Sequence, residues 1–160
     1  MSTYKKTIRK FEKWGEKSTR TLKDIPNAFK DEKAFHETLK KGNIPIYNML
    51  TKNYSPIKLT LTEVYPGTIG KEYYFTKGHV HTKRTPEFYI LLEGSGRLLL
   101  QKNNKPETIN LKLGEITLIP KGYAHRVINI GKGKLKVLTI YHEDSKPSYN
   151  VKFKKRFFKK

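Results

Sequence analysis

The sequence predicts a mainly β fold, an antiparallel sandwich or small barrel, preceded by one short helical segment. Nine short runs rich in β-branched and aromatic residues follow Pro45, and turn-forming clusters such as "PGTIG", "NNKP" and "GKGK" separate them. Many short strands without helices between them are typical of such folds. The chain has 160 residues, which is enough for one well-buried core and too few for two ordinary domains.

The only convincing helical stretch is "DIPNAFKDEKAFHETLKKG", residues 24–42. An apolar face, an acidic start and a terminal glycine support it. These features are Ala34, Phe35 and Leu39 for the face, Asp31 and Glu32 for the start, and Gly42 for the end. His36 stands alone here, and we interpret it as a surface or packing residue rather than a ligand.

The sequence contains no cysteine. This excludes disulfides, thiolate zinc sites and cysteine nucleophiles, and it fits a reducing compartment. No apolar run approaches the roughly 20 residues needed to span a bilayer. The basic N-terminus has no apolar segment behind it, so a secretory signal is not expected. We therefore expect a cytoplasmic protein with no membrane partner.

The formal net charge is +20, and much of it lies in "YKKTIRKFEKWGEKSTR" near the start and "KFKKRFFKK" at the end. Such charge fits nucleic acid, an anionic surface, a phosphorylated substrate or simply a solvated basic surface. We divide the single expected domain into three parts: a basic arm and helix packing on the barrel (residues 1–44), the barrel itself (45–151) and a basic tail (152–160).

Three histidines and a glutamate are spaced for metal binding. His79 and His81 alternate along a predicted strand, so their side chains leave the same face about 7 Å apart. "TKRTP" then reverses the chain, Glu87 opens the next strand, and "PKGYAH" places His125 at another strand start. Three imidazoles and a carboxylate suit a divalent ion such as iron(II), manganese, cobalt, nickel or zinc, with positions left open for substrate oxygens.

Two signatures connect these residues to a known superfamily. "GEITLIPKGYAHRVIN", residues 114–129, matches the second signature of the cupins position for position. The first signature is met by His79, His81, Glu87 and Gly94. The chain thus resembles the cupins, and this resemblance implies a double-stranded β-helix, or jelly-roll barrel.

The resemblance is closer to one cupin family. "PGTIGKEYYFTKGHVH", "PKGYAHRVINIG" and "LTIYHEDSKPSYN" are similar to segments of the archaeal cupin-type glucose-6-phosphate isomerases, and the similarity runs from about Leu22 to Val151. It implies an aldose–ketose isomerase of glycolysis and gluconeogenesis that interconverts glucose 6-phosphate and fructose 6-phosphate. It also implies a homodimer with one divalent metal ion per chain. Iron(II) is the first expectation, and manganese, nickel, cobalt and zinc are the alternatives.

The same resemblance assigns roles to individual residues. The metal ligands it implies are His79, His81, Glu87 and His125, with Glu87 also the candidate catalytic group for proton transfer. The positions it implies for the substrate phosphate are Tyr47, Thr62, Thr76, Gly78 and Tyr141. Two departures from the family stand out: the loop between His81 and Glu87 is one residue shorter, and Pro147 replaces a histidine.

Other functions remain open at this point. The same ligands would serve another metal-dependent cupin enzyme, such as an iron dioxygenase or a mannose 6-phosphate isomerase. A non-enzymatic basic cupin that binds a small ligand or nucleic acid is a further alternative. Because the basic runs contain no recognised nucleic-acid motif, we expect nucleic-acid binding to be weak and non-specific at most.

Overall fold

The computed structural model describes residue 13, residues 15–83 and residues 85–160. These residues form a mainly β structure with a 3₁₀ turn (Leu22–Asp24) and a helix α1 (Glu32–Lys41) before most of the strands. The strands are β1 (Glu16–Thr21), β2 (Pro45–Tyr54), β3 (Ile57–Val64), β4 (Thr68–Ile69), β5 (Glu72–Tyr73), β6 (Val80–His81), β7 (Glu87–Glu93), β8 (Gly96–Lys102), β9 (Lys105–Asn110), β10 (Ile116–Ile119), β11 (Ala124–Asn129), β12 (Leu135–His142) and β13 (Pro147–Ser148).

Two larger sheets make up the body of the fold. One has six strands in the order β1-β2-β3-β12-β7-β10, and the other has three in the order β11-β8-β9. Two short pairs, β13-β6 and β4-β5, complete the described strands. Each of these ladders is antiparallel. The predicted mainly β, antiparallel architecture is therefore confirmed.

Helix α1 has the predicted ends but is shorter than the predicted stretch. The carboxylate of Asp31 accepts a hydrogen bond from the Ala34 amide at 2.9 Å, which caps the first turn, and Gly42 follows the last. The preceding residues do not extend the helix, because Pro26 has no amide donor and Asn27 has a φ of 58°. Phe35 is buried and His36 is exposed. Among the described residues, no helix is both long and apolar enough to cross a membrane.

Strand β1 lies in the basic arm, where no strand was predicted. Its sequence, "EKSTRT", has no apolar residue, and it pairs with β2 from Glu16 opposite Thr51 to Thr21 opposite Pro45. Hydrogen bonding to the edge of a sheet needs no apolar side chains, so the pattern that marks buried strands is missing here. The arm therefore contributes an edge strand to the six-stranded sheet.

The C-terminal residues 152–160 pack on the three-stranded sheet. The Gln101 side chain binds their backbone twice: its amide nitrogen donates to the Lys152 carbonyl at 3.0 Å, and its oxygen accepts from the Lys154 amide at 2.8 Å. Arg156 pairs with the buried Glu72 at 2.8 Å, and Phe157 is buried. The basic segment predicted as a tail thus covers the outer face of β8.

The inner face of the six-stranded sheet changes from apolar to polar along its strands. On β12, the inner residues run from Val137 through Thr139 to Tyr141, and on β7 they run from Leu91 back to Glu87. The apolar end packs into the core against residues of β8 and β11. The polar end is left to line a cavity.

Candidate metal centre

Four ligand-type side chains meet at the polar end of the barrel. The donor atoms of His79, His81, Glu87 and His125 all lie within 4.8 Å of one another. A divalent ion about 2.1 Å from each donor would hold donors about 3 to 4 Å apart. His81, Glu87 and His125 are all buried. The residues that the sequence singled out as metal ligands therefore form one compact cluster.

Backbone pairing brings the histidines together. His79 and His125 exchange both backbone hydrogen bonds, at 3.1 and 2.9 Å, so their side chains leave the same face of a close antiparallel pair. His81, on β6, stands two residues after His79, so its side chain points to the same face. Glu87 begins β7 after the connecting loop. The arrangement of the four side chains thus follows from strand register.

The imidazoles of His81 and His125 face one carboxylate oxygen. Nε2 of each ring lies 2.8 Å from Oε2 of Glu87. Nδ1 of His125 lies 3.2 Å from the carbonyl oxygen of Tyr123. A carbonyl can only accept, so the neutral ring that donates from Nδ1 has its Nε2 lone pair available for a metal ion. Nε2 of His125 is buried and has no polar partner other than this carboxylate oxygen.

This arrangement fits a metal ion. A lone pair of nitrogen that faces a carboxylate oxygen at this distance is unfavourable unless a proton or a cation lies between them. A backbone carbonyl that fixes the imidazole tautomer is the usual support of a metal-ligating histidine. The donor set, three imidazoles and one carboxylate, suits a borderline divalent ion.

Burial and charge set the protonation states of the cluster. Burial, followed by the neighbouring His125, lowers the pKa of His79 from 6.5 to about 3. Burial alone would raise the pKa of Glu87, but in the metal-free cluster the hydrogen bonds that its carboxylate accepts from His125 and His81 outweigh burial, and the pKa falls from 4.5 to about 2. At neutral pH His79 is therefore neutral and Glu87 ionised, which are the forms that bind a metal.

A cavity of about 220 Å³ opens onto the cluster. Much of its wall is the inner face of the six-stranded sheet, where one row of polar side chains crosses four strands in register. That row is Thr51, Thr60, Thr139 and Tyr89. Tyr141 joins it through a 3.0 Å contact between its hydroxyl and that of Thr60. Many hydroxyl groups beside a metal-type cluster suit a ligand with several oxygens.

The structure separates the five residues expected to bind the substrate phosphate into two groups. Thr62 and Tyr141 line the cavity. The other three, Tyr47, Thr76 and Gly78, do not line it and lie around Lys77, whose amide is 3.4 Å from the Tyr47 hydroxyl.

Thr76 and Gly78 are both constrained by β11 and the C-terminal segment. The Thr76 hydroxyl accepts from the Val127 amide at 3.0 Å, which leaves its own proton free to donate. Gly78 has a φ of 76°, and a Cβ at this position would lie 2.6 Å from the Phe153 ring. A side chain here would therefore strain the backbone and displace Phe153.

Several lining residues were not singled out in the sequence, among them Thr51, Thr60, Tyr89 and Thr139. The signal that would have found them is the alternation of side chains along a strand. Thr60 and Thr139 each stand two residues from an expected site residue on the same strand, and Tyr89 stands two residues from Glu87.

Pro147 and Tyr149 also line the cavity. Pro147 pairs with His81 between β13 and β6. The ring centre of Tyr149 lies 5.9 Å from that of His79. Pro147, where the family resemblance implies a histidine, therefore lies directly beside the candidate metal ligands.

Similarity to solved structures identifies the fold. The oxalate decarboxylase of Lactobacillus farciminis, in a formate complex, superimposes with a TM-score of 0.53 and 19% identity over 64% of this chain and 30% of its own. The Bacillus subtilis oxalate decarboxylase at pH 4.6 gives a TM-score of 0.52 and 23% identity over 61% of this chain and 26% of its own. The chain thus spans less than a third of these proteins, and the expected cupin barrel is confirmed.

Similarity in sequence identifies the family. The glucose-6-phosphate isomerase of Pyrococcus furiosus is 34% identical over 149 residues, which are 89% of this chain and 79% of that protein. The enzyme of the same name from Thermococcus kodakarensis is 34% identical over 89% of this chain and 78% of its own length. Residues 19–158 match the family described as glucose-6-phosphate isomerase (GPI). With its cupin barrel and clustered ligands, the chain belongs to the cupin-type glucose-6-phosphate isomerase family.

Proposed function

We propose that this protein interconverts glucose 6-phosphate and fructose 6-phosphate with one divalent metal ion per chain. The observation that carries the proposal is the convergence of His79, His81, Glu87 and His125 on a hydroxyl-lined cavity in a member of this family. The clustered ligands alone would suit many cupin enzymes. Family membership is what directs the proposal to a sugar phosphate.

The four clustered side chains are the proposed ligands of the ion. When bound, a divalent ion polarises the substrate carbonyl and stabilises the negative charge that develops on its oxygen, an effect worth several kcal/mol. The ligand set suits iron(II), manganese, nickel, cobalt or zinc, and we propose iron(II) first because the family resemblance implies it.

Glu87 is the proposed group for proton transfer. Its carboxylate is ionised at neutral pH because its pKa is lowered to about 2, so it can accept a proton from the substrate carbon next to the carbonyl. It lines the cavity together with two of its imidazole neighbours, His79 and His81. Return of that proton to the former carbonyl carbon, together with transfer of the hydroxyl proton from one oxygen to the other, would complete the aldose–ketose exchange.

The row of hydroxyl groups is proposed to orient the open-chain sugar. Thr60, Thr139 and Tyr141 present hydroxyls from adjacent strands of a rigid sheet. Hydroxyl groups both donate and accept hydrogen bonds, so they can match the alternating hydroxyls of a sugar. Groups held on strands lose little freedom when the substrate binds.

The substrate phosphate is proposed to lie where the two groups of candidates approach each other. Tyr47, Thr62, Thr76 and Tyr141 would offer hydroxyl groups, and Gly78 a backbone amide. Such donors give directed hydrogen bonds to phosphate oxygens. The net charge of +20 would attract the anion over a longer range.

A homodimer is also proposed, through the outer face of the six-stranded sheet. Phe88, Ile116 and Leu118 are exposed there, and strand register places Leu118 beside Phe88 and Ile116 beside Ile90. Apolar groups of this kind gathered on one sheet face are typical of a subunit interface. The outer face lies opposite the cavity, so a second copy could pack there without closing the site.

A coupled assay tests the proposed reaction. The purified protein, loaded with iron(II) or manganese, is given fructose 6-phosphate, and glucose 6-phosphate formation is followed with and without a chelator. We expect activity that the chelator removes and that added metal restores. No turnover with any of the five metals would refute the proposal, and faster turnover of mannose 6-phosphate would reassign its substrate.

A further inference from the structure

A second cavity, of about 410 Å³, adjoins the cavity at the candidate metal centre. Tyr149 lines both cavities. Within the described ranges of the chain, the lining of the second cavity includes basic residues and no acidic one. The basic residues are Lys77, Arg126, Lys152, Lys154 and Arg156. The proposed isomerisation makes no use of most of this charge.

Arg126 is the most informative of these cations. Its guanidinium group lies between two aromatic rings, 4.3 Å from the ring centre of Phe75 and 4.1 Å from that of Phe153. One terminal nitrogen donates to the Lys77 carbonyl at 2.8 Å, while Nε is buried and makes no hydrogen bond. A planar cation held in place in this way keeps its charge at the cavity wall, where it is suited to attract a phosphate group.

Two acidic side chains near this cavity already accept hydrogen bonds from other residues. Both oxygens of Glu72 accept from Arg156, at 2.8 and 3.0 Å. Asp24 accepts from the amide and the hydroxyl of Thr21, each at 2.7 Å. Glu72 offsets the charge of Arg156, and positive charge remains on the other four basic residues. A concave surface of one sign concentrates oppositely charged ligands.

The wall of this cavity is held in place from several sides. The Gln101 side chain binds the backbone of Lys152 and Lys154 through both of its polar atoms. The backbone of Lys77 is bound by Arg126 at its carbonyl and by the Tyr47 hydroxyl at its amide. These contacts distinguish the cavity from a basic surface whose lysines are simply solvated.

We propose that this cavity binds a small polyphosphate anion. Its cations come from three separate segments, around residues 77, 126 and 152–156, and an anion with several phosphate groups has enough oxygens to contact more than one of them. The polyphosphate could be inorganic or belong to a nucleotide. Because Lys77 lies over the Tyr149 ring at 4.8 Å, a bound anion would also change how the neighbouring cavity holds its substrate; this second part rests on the proposed function.

Titration calorimetry tests the site. The sample is the metal-free chain of 160 residues, and the probe is inorganic pyrophosphate at 150 mM salt. We expect one anion per chain. The double substitution Lys152→Ala with Lys154→Ala should weaken binding about tenfold, because it removes two charge-assisted contacts. The matched control, Lys105→Ala with Lys132→Ala, removes the same charge from exposed residues that line none of the described cavities, and it should change binding less than about twofold.

Three results would overturn the site. Equal weakening in both double variants would assign binding to the general charge of the protein. Weakening by Thr62→Val instead of the lysine pair would place the anion in the substrate cavity. Tighter binding of a DNA duplex, lost with the same lysine pair, would assign the surface to nucleic acid. Since no metal or turnover is involved, these results do not depend on the proposed isomerase activity.

Two further arms complete the experiment. Adenosine triphosphate that binds more tightly than tripolyphosphate would identify a nucleotide as the ligand, and equal affinities would identify the polyphosphate chain alone. For the coupling, tripolyphosphate should alter the KM for fructose 6-phosphate in the unmodified enzyme at a buffered free metal concentration. Tripolyphosphate also chelates metal ions, and this effect on the KM would be the same in both proteins. An equal change of the KM in the Lys152/Lys154 variant would therefore refute the coupling.

Discussion

His125 is oriented by its immediate neighbours in the chain. Nδ1 lies 3.2 Å from the Tyr123 carbonyl oxygen, which can only accept, and the backbone pair with His79 fixes the direction of the side chain. Nε2 is thereby aimed at the cluster before any ion binds. A ligand that needs no reorientation binds a metal more tightly than a free side chain would.

Removal of this ligand should therefore abolish metal retention. In His125→Ala, metal content after reconstitution and gel filtration should fall from about one ion per chain to a small fraction, as measured by elemental analysis. His36→Ala is the matched control, since His36 is exposed on α1 and should leave metal content unchanged. Full metal content in His125→Ala would disprove the ligand assignment.

Acid should destabilise the metal-free protein, and His79 should be one cause. The folded-state pKa of His79 is about 3 against an ordinary 6.5, so between these values the unfolded chain binds more protons and stability falls as pH falls. Glu87 acts in the same direction between its ordinary 4.5 and about 2. Urea midpoints should decline from pH 6.5 downward and decline less in His79→Ala. An identical slope in the two proteins would show that His79 carries no such linkage.

Thr62 tests the proposed phosphate contacts within the cavity. Thr62→Val keeps the shape of the side chain and removes one hydrogen bond to a charged group, which costs roughly 1.5–3 kcal/mol. The KM for fructose 6-phosphate should rise about tenfold or more, while metal content stays the same. Parallel loss of both would indicate a folding defect instead.

At the scale of elements, the C-terminal segment is part of the fold. Phe157 is 8% exposed and Phe158 is 46% exposed. Two backbone hydrogen bonds hold the segment: the Phe157 carbonyl accepts from the Tyr73 amide of β5 at 3.1 Å, and the Lys159 amide donates to the Lys71 carbonyl at 2.8 Å. The segment is basic, but its order comes from one buried ring and several backbone contacts.

These two adjacent rings allow a matched comparison. Phe157→Ala should lower the free energy of unfolding by about 3 kcal/mol, because it removes a buried aromatic side chain. Phe158→Ala should cost well under 1 kcal/mol, since surface substitutions rarely exceed about 0.5 kcal/mol. Denaturant unfolding of both variants measures the difference. Similar values would mean that the segment does not pack as described.

The elements differ in how well the sequence predicts them. The nine β-type runs all contain strand residues, because burial on at least one face imposes an apolar pattern. Strand β1 and the two-residue strands β4 and β13 were not predicted. These strands depend on pairing with partners far away in the chain, and local patterns carry little information about such pairing.

For the candidate site, the sequence predicted the candidate metal ligands but not the other residues that line the cavity. The convergence of His79 with His125 follows from strand pairing between segments 46 residues apart in the sequence; spacing and signatures predicted it. The row of hydroxyl-bearing residues on the cavity wall could not be predicted, because the sequence of a strand does not show whether a threonine faces a cavity or solvent. The second cavity was not foreseen, since it forms only when the C-terminal segment packs beside Lys77 and Arg126.

At the scale of the whole molecule, the apolar outer face should govern assembly. We expect a dimer in light scattering after size-exclusion chromatography. The double substitution Ile116→Glu with Leu118→Glu should shift it to a monomer, because two charges would be buried in an apolar interface. Phe158→Glu changes an exposed apolar residue outside this sheet and should leave the dimer intact. A dimer that survives the double substitution would move the interface elsewhere.

The neighbours Glu87 and Phe88 point to opposite sides of the same sheet, one buried by the cavity and the other exposed outside. A single residue inserted or deleted within β7 would exchange these sides and turn the carboxylate outward. Changes in chain length can therefore be tolerated only before the strand starts, in the loop between His81 and Glu87, or in steps of two within it. The loop between His81 and Glu87, where the family resemblance implies a chain one residue shorter, lies in that permissive region. The length of this loop can thus change during evolution, while each residue of β7 must keep pointing to the same side of the sheet.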